Sequence, residues 1–255
     1  MADSLVIIPT YNECENVKAI IEAVLALDEH EFDVLVVDDN SPDGTAAIVE
    51  DIIASRGDTR VNILKREGKL GLGTAYIAGF RWARDHDYQY ITEMDADFSH
   101  NPKDLVALQR ACASEGADVA VGSRYISGVN VVNWPLGRIL MSYGASLYVR
   151  MITGMKVKDS TAGFVCYRRE VLRELNLDLV QFKGYAFQIE MKFTAHRMGF
   201  KIKEVPIVFT NRVLGTSKMS GGIFGEALLG VVKLRWGSIF NKKKYTRLSQ
   251  LEKHD

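Results

Sequence analysis

Apolar residues in the first half of this chain follow two alternating rhythms. Short runs rich in Val, Ile, Leu, Tyr and Phe at residues 4–8, 32–37, 61–64, 88–94 and 119–121 have the length and composition of strands. Between them, apolar positions recur every three or four residues, as at Val17, Ile20, Ile21, Val24 and Leu25, which is the period of a helix face. Asn12, with Glu15 three residues later, marks the start of the first helix, and Pro9 closes the strand before it. Asp43-Gly44-Thr45 opens a helix to about residue 54, residues 74–84 form another, and Pro102 stands early in a helix carrying Leu105, Leu108 and Ala111. The second half is less regular, with helical patterns at 136–151 and 185–197, strand-like runs at 163–167 and 201–209, and an amphipathic helix at 223–240. The alternation predicts an α/β fold, a mostly parallel central sheet with helices on both faces. In open sheets of this kind ligands bind beyond the carboxyl ends of the strands. There is no internal repeat or linker. The expected organisation is one domain over residues 1–220, followed by a basic amphipathic helix and tail over 221–255.

Composition changes this picture little, whereas the placement of charge changes it more. The 255 residues carry no net charge, which does not suggest a nucleic-acid partner. Yet residues 1–60 hold 14 acids and 3 bases, and no acid falls between Asp118 and Asp159 or between Glu226 and Glu252. Arg124, Arg138, Arg150, Lys156 and Lys158 occupy the first acid-free block, and Lys233, Arg235, Lys242, Lys243, Lys244 and Arg247 the second. Such blocks suit phosphate groups or an anionic membrane surface; an ordinary solvated face is the alternative. No stretch reaches the roughly 20 apolar residues that span a bilayer, so any membrane association is expected to be peripheral. Three scattered cysteines and a start without a signal-peptide core point to a reducing, cytoplasmic setting.

The candidate chemistry sits at strand ends. Asp95-Ala96-Asp97 follows the run at 88–94, and in an extended segment side chains two residues apart project to one side. Mg²⁺ or Mn²⁺ commonly takes one or two such carboxylates and completes its shell with water and substrate phosphates. A pair of capping or solvent-facing acids is the alternative. Asp38-Asp39 ends the second strand, where a carboxylate can accept hydrogen bonds from a base or ribose or cap a helix. Pro9-Thr10-Tyr11-Asn12-Glu13 ends the first strand, with a ring and a carboxylate. Lys69-Leu70-Gly71-Leu72-Gly73-Thr74 lacks the third glycine of a dinucleotide loop and the Gly-Lys-Ser/Thr of a phosphate loop, and reads as a tight turn into a helix. Arg124, after the fifth strand, and Arg212 and Lys218, after a late one, could neutralise a diphosphate or lie at the surface.

In order along the chain, these motifs resemble glycosyltransferase family 2, most closely the dolichyl-phosphate (polyprenyl-phosphate) mannose synthases. The matching segments lie at 9–13, 38–45, 70–76, 94–100, 122–125, 159–164, 184–190 and 212–218. The resemblance implies a nucleotide-binding fold of the glycosyltransferase A type, with residues 1–220 as its catalytic domain. It also implies inverting transfer of mannose from GDP-mannose to a polyprenyl phosphate. By the same resemblance Pro9, Tyr11, Glu13, Val37 and Asp39 hold the nucleoside, while Asp95, Ala96 and Asp97 hold diphosphate and metal. Arg124, Arg212 and Lys218 meet donor or acceptor phosphates, and Arg138 meets the lipid phosphate. Asp97, Arg124, Arg212 and Lys218 are the expected catalytic residues. Ser99 stands where some members ligate the metal through glutamine, which implies a weaker third ligand.

A phosphate acceptor also makes a general base unnecessary, because its second pKa is about 6 and it is already largely dianionic at neutral pH. The Gln-x-x-Arg-Trp signature of processive relatives is missing, since Ala78 precedes Arg81-Trp82 and Val232 precedes Arg235-Trp236 at the glutamine position. Residues 139–149 are uncharged between Arg138 and Arg150, as in an interfacial helix or a core helix. The resulting expectation is a metal-dependent enzyme, peripheral on the cytoplasmic face of a membrane, with a separate membrane-anchoring subunit as a further partner. Two alternatives stay open. One is a family 2 transferase using UDP-glucose with undecaprenyl phosphate or a sugar acceptor; the other is a non-catalytic nucleotide-binding subunit.

Overall fold

The computed structural model describes residues 2–184, 186–211 and 223–251. Its sheet is built from β1 (Ser4–Thr10), β2 (Phe32–Asp38), β3 (Val61–Lys65), β4 (Tyr90–Glu93), β5 (Val119–Ser123), β7 (Val165–Arg168) and β8 (Ile202–Pro206). A small second sheet pairs β6 (Val131–Val132) with β9 (Phe209–Thr210). The helices are α1 (Val17–Leu25), α2 (Thr45–Ser55), α3 (Leu72–Arg84), α4 (Asp104–Ala113), α5 (Leu136–Thr153), α6 (Arg169–Glu174), α7 (Ala186–Arg197), α8 (Ile223–Phe240) and α9 (Leu248–Leu251).

The main sheet runs β3-β2-β1-β4-β7-β5-β8. Only β7 is antiparallel to its neighbours, so the other six strands present their carboxyl ends along one edge. Strands buried on both faces read as continuous apolar runs, and β2 is buried at every position. Two apolar layers result. Leu5, Ile7, Leu35 and Val37 face Tyr76 and Phe80 of α3, whereas Val6, Ile8, Val34 and Val36 face Ile20, Val24 and Leu105 of α1 and α4. The strand order reverses between β1 and β4, where an open sheet leaves a crevice at its carboxyl edge.

Several expectations shift. The first helix begins at Val17, and Asn12 instead takes a left-handed backbone with φ 56°. The late strand splits into β8 and β9. The strand expected over 88–94 ends at Glu93, so Asp95 and Asp97 lie on a turn beyond it and not on extended backbone. Among the described residues of 221–255, Val231, Leu234 and Tyr245 form a third apolar cluster with Val149 of α5 and Ile189 and Phe193 of α7. Lys244, expected among outward-facing bases, is buried against Glu190. Helix α7 is buried at every position from Ala186 to Ala195, a placement its mixed sequence does not announce.

Candidate active site

The ends of β1 and β2 are joined side by side, with Thr10 in register with Asp38. Thr10 Oγ1 donates to Asp38 Oδ1 at 2.9 Å, and Ser41 donates to the same carboxylate through its backbone N and its hydroxyl. Asp38 is thereby committed to shaping the loop. Asp39 is held differently: its N–H bonds Thr10 O at 3.0 Å, and its carboxylate is buried beside Arg66, whose Nη1 donates at 2.8 Å. Burial raises the pKa of Asp39, against the pull of Arg66. Val37 is buried in β2 and packs in the apolar core, and Pro9 lies within β1, each one residue before the end of its strand.

Tyr11 lies under the Lys69 ammonium, 4.8 Å from its ring centroid. The Glu13 backbone N–H donates to Thr45 Oγ1, and its Oε2 accepts from Asn16. Asp43 sits just before the Gly44 cap of α2 and accepts from Thr45 and from Cys14 N. Burial opposes its ionisation, but these hydrogen bonds outweigh that and bring its carboxyl down to about 2. The glycine-rich segment is the expected turn. Gly71 has φ 107°, a Cβ on it would come within 3.0 Å of Lys183 O, and Gly73 N donates to that same oxygen. Arg66 Nη2 also reaches Thr74 Oγ1 at 2.7 Å, tying this turn to Asp39.

Beyond β4 the chain turns sharply, with Phe98 at φ 57°. Asp97 is buried and accepts the Ser99 N–H at 3.0 Å; Asp95 is half-buried and accepts from the Tyr76 hydroxyl at 3.4 Å. Ala96 and Ser99 are buried in the same turn. Among the described residues no group of three or more acidic, His or Cys side chains is arranged to hold a metal alone. A donor set of two carboxylates suits an ion that completes its shell with water and substrate phosphates.

Arg124 leaves the end of β5 and is almost fully matched by Asp159. Its Nε and Nη2 bond the two carboxylate oxygens at 2.7 and 2.6 Å, and its backbone N–H bonds Oδ2 at 2.9 Å. The guanidinium also sits 5.5 Å from the Trp134 ring and 5.6 Å from Phe209. Asp159 therefore balances charge on the Arg124 guanidinium and fixes its orientation. Arg138, on α5, lies over the Trp134 ring, 4.0 Å from its centroid, and donates to Asn211 Oδ1 at 3.2 Å. Arg212 and Lys218 lie outside the described residues.

Sequence reasoning missed four residues of this region. Arg66 at the end of β3, and Asp159 opposite Arg124, are ordinary charged residues until the fold pairs them. Gln188 donates to the buried Glu93 carboxylate at 2.6 Å, and burial pushes that carboxyl up. His100 accepts the Asp95 N–H on Nδ1 at 3.3 Å, and burial holds its pKa down at about 4, so the ring is neutral and able to accept. The only signal for His100 and Asp159 was their presence in matched motifs.

Residues 5–176 match the profile of glycosyl transferase family 2. The chain is 48% identical over 237 residues to an undecaprenyl-phosphate mannosyltransferase of Micrococcus luteus, covering 91% of this chain and 93% of that protein. It is 46% identical over 237 residues to a polyprenol monophosphomannose synthase of Mycolicibacterium smegmatis, covering 92% and 86%. Among solved structures it resembles glucosyl-3-phosphoglycerate synthase of Mycobacterium tuberculosis in complex with Mn²⁺, UDP and glucosyl-3-phosphoglycerate. That match has a TM-score of 0.65 at 18% identity and covers 92% of this chain and 80% of the other. The shared architecture is the glycosyltransferase A-type fold.

Proposed function

This chain belongs to glycosyl transferase family 2, and from that membership we propose that it transfers mannose from GDP-mannose to a polyprenyl phosphate with inversion. The observation that carries the reading is the placement of Asp39 after β2 and of Asp95 and Asp97 after β4, on the carboxyl edge of the two strands that flank β1. The names of the two bacterial relatives, a mannosyltransferase and a monophosphomannose synthase, supply the sugar and the lipid phosphate. Pro9, Tyr11, Glu13, Val37 and Asp39 would enclose the nucleoside. Asp95 and Asp97, with Ser99 beside them, would hold Mg²⁺ or Mn²⁺, whose charge would offset that of the departing diphosphate. The same structural neighbour has been solved with Mn²⁺ or Mg²⁺ and UDP. Arg124, Arg212 and Lys218 would add cationic charge at the donor or acceptor phosphates. The acceptor phosphate is already dianionic, so attack at the anomeric carbon requires no base.

With Mg²⁺, polyprenyl phosphate and a panel of nucleotide sugars, the chain is expected to form a mannolipid from GDP-mannose alone. Product from UDP-glucose with none from GDP-mannose would overturn the donor assignment.

The lipid acceptor calls for a membrane face. No helix among the described residues is long and apolar enough to cross a bilayer. Helices α5 and α8 pack on each other, and both leave apolar side chains in solvent. On α5 these are Leu136, Leu140, Tyr143, Leu147 and Met151, a stripe at helical spacing; on α8 they include Trp236 and Phe240, the latter 77% exposed. A core helix would not leave Leu136 at 71% exposure. Exposed Lys156, Lys158 and Lys233 and the acid-free sequence around them complement anionic headgroups. We propose that this face rests on the cytoplasmic surface of a membrane, with the exposed side of α8 as part of it. Leu140→Glu combined with Leu147→Glu should lower sedimentation with anionic vesicles at least tenfold, while activity on a short, water-soluble isoprenoid phosphate persists. Unchanged vesicle binding would remove this face from the membrane, and a parent chain that does not sediment with vesicles would favour a separate anchoring subunit.

A further inference from the structure

We propose that His100 is a positioning residue of the donor site: its imidazole, clamped by Phe164 and Phe209, fixes the Asp95 backbone and so sets the turn presenting Asp95 and Asp97. The inference rests on the reading of those two acids as the cation-holding pair.

The argument begins with an N–H that the sheet cannot satisfy. β4 ends at Glu93, and the Met94 N–H still reaches β1, donating to Ile7 O at 3.1 Å. The Asp95 N–H points past the ladder in a largely buried region, where an unmatched donor is costly. Its partner is His100 Nδ1, five residues ahead, so the bond closes the turn on itself. Inside that closure Asp97 accepts the Ser99 N–H, and Phe98 holds a left-handed backbone that a side chain adopts only at a cost. A strained turn persists where its surroundings over-determine it. His100 supplies that determination, because its ring is held from two directions. It stacks on Phe164, just before β7, with centroids 4.7 Å apart at 14°, and meets the edge of Phe209 in β9 at 5.4 Å and 79°.

The ring contacts alone would be served as well by phenylalanine, at no desolvation cost. An imidazole in this place is explained by its acceptor nitrogen. The same clamp reaches the acceptor side, since Phe209 meets Trp134 edge-on at 5.3 Å and Trp134 lies under Arg138. His100 is thus a joint between the turn bearing the acids and the small β6–β9 sheet.

The test is Mn²⁺ binding in the presence of GDP, followed by electron paramagnetic resonance, beside KM for Mn²⁺ and kcat in turnover. His100→Phe keeps the ring and removes the acceptor, and should weaken Mn²⁺ binding at least tenfold, with KM for Mn²⁺ rising in step. His100→Asn, whose Oδ1 falls where Nδ1 stood, should stay within about threefold of the parent chain. His100→Gln, with its oxygen displaced, should resemble Phe, which keeps the comparison between two small polar residues if the Phe variant does not fold. Equal Mn²⁺ affinity in the parent and the Phe or Gln variant, or equal loss in Asn and Gln, would overturn the role. A parent chain that binds no Mn²⁺ with GDP would overturn the cation reading itself and this role with it.

Discussion

Asp97→Asn is expected to lower mannosyl transfer at least about a thousandfold, the equivalent of roughly 4 kcal/mol of lost transition-state stabilisation, while leaving the fold unchanged. Asparagine is the informative substitution because Asp97 has two tasks. Its Oδ1 accepts the Ser99 N–H, which shapes the turn, and its negative charge is proposed to hold the cation against the diphosphate. The amide oxygen of asparagine can keep the first task, and the neutral side chain forfeits the second. Thermal unfolding should therefore move by no more than a degree or two as turnover collapses. Asp97→Ala loses both tasks and should add a small loss of stability to the same loss of rate. Asp39→Asn makes a control at the other end of the corner. There Arg66 remains as a partner, so the expected loss falls on KM for the nucleotide sugar and not on kcat at saturation. An Asp97→Asn chain that turned over at the parent rate would remove the metal-holding role and leave the negative charge of GDP without a cation held by this residue.

How much of this was legible in the sequence depends on the range of the interaction. The parallel core was readable because β1 and β2 are buried on both faces and so appear as largely apolar runs, at 5–8 and 34–37, whereas β4, Tyr-Ile-Thr-Glu, buries polar residues too. Their polar ends were readable for the same reason: Thr10, Asp39 and Asp95 break those runs where the sheet stops. What failed was geometry set by distant partners. β7 enters between β4 and β5 as an antiparallel strand, and nothing in its local sequence states its direction. The pairing of Arg124 with Asp159, 35 residues away, could not be read locally either, since two of its guanidinium nitrogens meet that carboxylate. The Asp-x-Asp pair was assigned to extended backbone, but the left-handed Phe98 turns the chain, a conformation unexpected for a bulky side chain. Helix α7 was found by its pattern, yet its burial on every side was invisible. Gln188, Glu190 and Lys192 look solvent-facing in sequence and are matched inside by Glu93, by backbone N–H groups and by Ala162 O.

That buried helix supports the second large prediction. Lys244→Met should lower the unfolding free energy by about 3–5 kcal/mol, roughly a 10 °C fall in Tm for a chain of this size. The Lys244 ammonium is buried against Glu190, which is itself fully buried and also accepts from Gln181 N at 3.0 Å and Phe182 N at 2.8 Å. Removing the lysine leaves a carboxylate inside the protein with two backbone donors and no cation, the costly way to break a buried pair. Glu190→Gln added to Lys244→Met removes the stranded charge while keeping an acceptor for the loop, and should restore more than half of the loss. Lys243→Met, at an exposed neighbouring base, should leave Tm unchanged. The consequence reaches the donor site, because the loop that Glu190 holds continues to Lys183, whose carbonyl accepts the Gly73 N–H at the turn into α3. From there Thr74 meets Arg66, and Arg66 meets Asp39. The single variant should therefore also raise KM for the nucleotide sugar severalfold below its melting temperature, and the double variant should bring it back. If Lys244→Met melts with the parent chain, the buried pair does not hold the tail to α7. If it melts early with an unaltered KM, the tail stabilises the fold without bracing the nucleotide corner.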